Sequence, residues 1–174
     1  ALWPSRIALH PTYVVVHSLM AMMPSLPVLR NLSPALATLI ASTWMIARVL
    51  MFILLGATTW WHTRPSLLLL SAAIMLFAFI GVTTPLAGFA NQYSLESMIL
   101  SQIVLGIVLG LIYSGSLYFG MVLSDASTEH AGYHEALIGL GSVVGPGVAA
   151  LAQTYRPGDL RAGAMNRVAS AVGE

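Results

Sequence analysis

A helical integral membrane protein of five spans is the fold class this sequence predicts, and three observations predict it. Only 7% of the 174 residues are charged and 57% are hydrophobic, whereas a soluble domain carries about 25% charged residues to keep its surface hydrated. Apolar runs at 7–23, 34–56, 66–84, 97–122 and 133–153 each reach or approach the ~20 residues that a helix needs to cross a hydrocarbon core of about 30 Å. The third run, SLLLLSAAIMLFAFIG, is apolar without alternation, and a strand of a membrane barrel must alternate between lipid and lumen. A bundle of helices over residues 1–153 satisfies all three.

The first run, 7–23, follows Arg6 and carries His10 ahead of Pro11, and Pro24 and Pro27 supply the turn that ends it. The second, 34–56, opens at Pro34 and closes at Gly56. Trp60 and Trp61 stand just beyond it, where an interfacial aromatic belt belongs. At 1.5 Å per residue this run covers ~34 Å, and Arg48 falls only ~4.5 Å from its midpoint. A side chain a little over ~6 Å long does not reach headgroups ~15 Å away, so Arg48 needs a partner inside the protein or a wet cavity. The third run, 66–84, holds no charge and is expected against lipid. The fourth, 97–122, supplies Tyr113, Tyr118 and the spaced pair Gly106 and Gly110. The fifth, 133–153, opens on Glu135 and continues through Gly141, Gly145 and Pro146. Residues 154–174 carry Arg156, Asp159, Arg161 and Arg167, too closely spaced for a complete span. They read as a polar tail or the truncated start of a sixth span.

Alternation of five spans fixes relative depth. With each centre taken as the midplane, Arg48, Tyr113, Tyr118, His10 and Glu135 fall in the same half of the membrane, Tyr113 at about the depth of Arg48. Ionisable groups at such depth face the bundle interior or a water-filled pathway and mark substrate or ion routes. Each also has a plainer role. Arg48 can anchor helices by bonding carbonyls or Tyr113, Glu135 can complement a helix dipole, His10 can sit at the interface, and the two tyrosines can pack with satisfied hydroxyls.

The remaining composition excludes several classes. A net charge of +1 gives no basic surface for nucleic acid. Without Cys there is no disulfide framework, thiol nucleophile or thiolate metal site. The chain opens on Ala1, with no initiator Met and no basic segment leading into a short apolar stretch; a fragment without a signal peptide is expected. The arginines near span ends reverse their vote when the tail is counted, so they assign no orientation. One enzymatic reading competes: EHAGYHE puts His130 and His134 at i, i+4 spacing beside Glu129 and Glu135, and two such imidazoles bind zinc if a third ligand arrives. A scaffold without transport activity is the other alternative. Neither a cofactor nor a bound metal is expected, and the expected partners are the lipid bilayer and a small-molecule substrate.

Glycine carries the most specific pattern. Gly141 and Gly145 lie one helical turn apart and leave a groove for close helix contact, and Pro146 removes a backbone hydrogen bond and can bend the span. The register Gly132-x8-Gly141-x3-Gly145-Pro146 resembles the glycine-proline motif of the major facilitator superfamily, seen in the fifth helix of its proton-coupled antiporters and echoed in the eleventh. Ala149 and Ala150 stand where that pattern continues to a glycine pair. The loop after the second run resembles the family's signature loop: Gly56 and Arg64 keep their places, while Trp60 replaces an acidic residue. The fourth run lacks the arginine typical of the family's fourth helix, and the His134-Glu135 lead-in resembles the eleventh. The spans are therefore similar to helices seven to eleven. That resemblance implies the carboxy-terminal half of a secondary transporter whose second half is missing. The first and fourth spans would line the cavity, the second and fifth would meet the other half, and the third would face lipid. The Gly141–Gly145 face is then expected to lack its partner helix in this chain. The expected location is a bacterial inner membrane.

Overall fold

The computed structural model describes residues 2–30, 32–83, 91–123 and 128–155, without the side chains at 2–8, 10, 25, 27, 30, 91–94, 123, 128–131 and 152–155. Every regular element among them is helical: α1 Leu2–Met22, a 3₁₀ turn Met23–Ser25, α2 Pro27–Arg30, α3 Pro34–Ala41, α4 Thr43–Gly56, α5 Ser66–Thr83, α6 Asn91–Leu123 and α7 Thr128–Tyr155. Four stretches are long and apolar enough to cross a membrane: Pro34–Gly56, Ser66–Thr83, Leu95–Val122 and Gly132–Leu151. They match four of the five predicted runs. The first run falls on α1, whose described apolar part, Pro11–Met22, is shorter than the other four. Residues 156–174 of the predicted tail lie outside the described residues.

Local chemistry sets the helix ends. Pro34 starts α3 with its φ already helical, and Ser33 accepts the Leu36 N–H at 3.4 Å. α3 and α4 meet at Ser42, which keeps helical dihedrals while its hydroxyl donates to the Leu39 carbonyl at 2.9 Å. The second span is therefore one rod with a seam. α4 ends at Gly56, and the Trp61 indole N–H donates to the carbonyls of Leu55 at 3.1 Å and Thr58 at 3.0 Å, satisfying groups that a helix end leaves open. Trp61 is buried by this role, so the aromatic belt expected there reduces to the exposed Trp60.

α6 is the hub, packing on α4, α5 and α1, while α7 packs mainly on α1. Half of the apolar stretch of α6 is buried, against 28% for the other three spans. On α5 the buried residues Leu68, Ser71, Met75, Ala78 and Val82 follow one helical stripe. Its other face, with Leu70, Phe77 and Ile80, is exposed.

Glycine contacts give the helix directions. Gly141 faces Tyr13 and Gly145 faces His17 and Ser18, so α1 and α7 run parallel. Gly106 faces Trp44 to Arg48 and Gly110 faces Met51, so α4 and α6 run parallel as well. Gly81 faces Ser101 and Gly115 faces Leu68, so α5 runs against α6. These are the directions that alternating spans require. They also correct one expectation: the Gly141–Gly145 face is not left open, because α1 occupies it.

Candidate functional site

The site begins with two absent side chains. A Cβ at Gly106 would meet the Trp44 carbonyl oxygen and lie 2.8 Å from the Ala47 Cβ and 3.0 Å from the Arg48 nitrogen. One at Gly110 would lie 2.9 Å from the Met51 Cβ and 3.3 Å from the Arg48 oxygen. Glycine at both positions lets the backbones of α4 and α6 touch, and that contact lays Arg48 against α6.

The Arg48 guanidinium carbon lies 5.2 Å from the ring centroid of Phe52, one turn along α4, and 5.2 Å from that of Tyr113 on α6. The two rings are 5.6 Å apart. Nε of Arg48 is buried without a hydrogen-bond partner, and among the described residues no carboxylate pairs with the guanidinium. A desolvated cation–π contact contributes about 2 kcal/mol, while burying an ion costs several kcal/mol. The rings offset only part of that cost.

Aromatic contacts extend the cluster to α7 and α1. Tyr113 meets His134 edge-on at 5.3 Å, and His134 meets Tyr13 edge-on at 5.7 Å. The Tyr13 hydroxyl and His134 Nε2 form a 2.8 Å hydrogen bond whose donor follows the imidazole tautomer. Both residues are buried, His134 to 5% exposure. α1 is held beside α7 by Gly141, where a Cβ would fall 2.5 Å from that of Tyr13, and by Gly145, whose carbonyl accepts from the Ser18 hydroxyl at 2.8 Å. Phe52, Arg48, Tyr113, His134 and Tyr13 thus form one chain of contacts through four helices. It holds one fixed positive charge, one titratable ring and two hydroxyls.

The other predicted site residues lie elsewhere. Tyr118 stacks on His62 with centroids 4.1 Å apart and planes 9° apart, edge-on to Trp61 at 5.1 Å, in a second aromatic group beyond the end of α4. Glu135 is exposed and forms no ion pair with Arg48. The side chain of His10 lies outside the described residues, as does that of His130. Gly132, which opens the glycine register, is exposed with nothing within 4 Å of where its Cβ would be, so it makes no close helix contact of the kind that Gly141 and Gly145 make. Pro146 is exposed inside α7, which continues through it. Gly56 and Arg64 are exposed at the loop after α4.

Sequence reasoning missed the members Phe52 and Tyr13 and saw His134 only in other roles. Phe52 is uncharged, and its spacing of four from Arg48 was the available signal. Tyr13 and His134 meet only through the fold. Gln102, one turn before Gly106 on α6, is another: it is fully buried, and neither its Nε2 nor its Oε1 has a partner.

No protein-family model, curated protein or solved structure matches the chain. The chemistry of the cluster therefore stands on its geometry alone.

Proposed function

We propose that the chain is part of a secondary active transporter that moves a small solute across a membrane by alternating access, built like the carboxy-terminal half of a major facilitator protein and housed in a bacterial inner membrane. One observation carries this reading: a guanidinium near the midpoint of a membrane span, its Nε buried and unpartnered, with two aromatic rings beside it. A scaffold gains nothing from an uncompensated charge at that depth, whereas a carrier uses it to meet a passing solute or to exchange partners between states. The helix arrangement supports the same reading. The Arg48 cluster draws on α1 and α6, the two spans expected to line the cavity, and α5 turns an apolar face outward. The exposed Leu50 and Ile53 on α4 and Val143 and Leu151 on α7 would then meet the second half.

In the complete transporter, Arg48→Ala is expected to cut solute flux about tenfold or more with membrane abundance nearly unchanged, the scale of losing a charged hydrogen bond of ~1.5–3 kcal/mol. Arg48→Lys should restore part of the flux, because it keeps the charge without the planar fork. Normal transport by Arg48→Leu would remove Arg48 from the pathway, and a joint collapse of flux and abundance would make it an anchor.

A further inference from the structure

Among the described residues of the four spans Arg48 is the one fixed cation, and the two carboxylates, Glu96 and Glu135, are both exposed and unpaired with it. A charge half-buried among Phe52, Tyr113 and their neighbours lacks an anion that the described residues do not supply. We infer that the Arg48 site takes a singly charged carboxylate borne on an apolar body, an inference that rests on reading this cluster as the solute pathway.

Three features select that class. The guanidinium is a planar fork that matches the two oxygens of a carboxylate; its Nε is enclosed, which leaves the two terminal nitrogens as the donors for a ligand. One cation balances one negative charge, while a dianion such as a phosphate monoester would leave a net charge in a low dielectric. Phe52 and Tyr113 present rings beside the fork, with Tyr13 reached through His134, so the group attached to the carboxylate meets apolar surface. A cationic solute is repelled, and a neutral one leaves the charge unbalanced.

The 174-residue chain, purified into lipid nanodiscs, is titrated calorimetrically with benzoate and with its neutral isostere benzamide. Oleate and oleyl alcohol form a second pair, so that a carboxylate from water and one arriving from the bilayer are told apart. The expected result is saturable binding of at least one carboxylate, about tenfold or more tighter than its neutral counterpart. Arg48→Gln should erase that ratio and Arg48→Lys should keep part of it, with circular dichroism verifying the helices. Should Arg48→Gln fail to fold, Phe52→Leu keeps the charge and is expected to weaken benzoate while leaving acetate unchanged. Equal binding of acid and neutral analogue, equal binding by wild type and Arg48→Gln, or no saturable carboxylate binding overturns the inference. Binding is read at equilibrium and needs no movement. Carboxylate binding without flux in the complete protein keeps the site and removes the transporter reading; flux indifferent to Arg48 does the reverse.

Discussion

Tyr13 and His134 lie 121 positions apart in sequence and 2.8 Å apart in space. Interhelical bonds of this kind in membranes average about 0.6 kcal/mol and reach ~1.7. Tyr13→Phe and His134→Leu are each expected to lower stability, with a coupling of about that size in a double-mutant cycle followed by detergent-induced unfolding. Strict additivity would mean that the bond is not made in the membrane. Gln102 has the opposite sign. Removing a polar group that has no partner is close to neutral or stabilising, so Gln102→Leu should raise stability by about 1 kcal/mol on the same assay; a loss would reveal a partner, such as a bound water. The meeting of Arg48 and Tyr113 was legible in the sequence because both lie near the midpoints of apolar runs that point the same way. Phe52 was not, since a search for ionisable partners passes over a phenyl ring. His134 was visible as a metal-ligand candidate through its spacing from His130 and as part of a helix lead-in, and Tyr118, expected in the same half of the membrane as Arg48, turns toward His62.

At the scale of the helix, glycine position decides function more than glycine count. Gly145 touches His17 and Ser18, whereas Gly147, on the same helix, has nothing within 4 Å of its missing Cβ. Gly145→Leu is therefore expected to pry α7 from α1 and cost about 1–3 kcal/mol or more through overpacking, while Gly147→Leu should be nearly silent. Gly132→Ala should even stabilise α7 by roughly 0.5–1 kcal/mol, because it removes backbone freedom without a clash. Thermal unfolding monitored by circular dichroism orders the three variants, and equal losses at 145 and 147 would contradict the α1–α7 seam. The small-residue spacing announced such a seam in the sequence. Its partner was not readable, since glycine carries no chemistry that names what lies against it. The extents of the four longer spans were readable because apolar length alone sets them. The seam at Ser42 and the capping by Trp61 depend on hydroxyl and indole donors that folding aims.

For the molecule as a whole, the apolar surface is its outer one. Phe77 on α5 and Val143 on α7 are 76% and 75% exposed, a placement that only lipid or a protein partner makes favourable. The chain has no native cysteine, so single Phe77→Cys, Val143→Cys and Arg64→Cys variants carry spin labels without background. With no second half present, labels at 77 and 143 should be relaxed by oxygen dissolved in the bilayer and not by a water-soluble nickel chelate, and the label at 64 should show the reverse. Nickel access at 77 would overturn the lipid-facing assignment of α5. The parallel pairing of α1 with α7 also bears on how the protein is made. Ser18 waits for a carbonyl 127 positions later, and at about 5–20 residues per second a ribosome takes roughly 6–25 s to deliver it. For that interval the Tyr13–Ser18 face of α1 has no α7 to cover it.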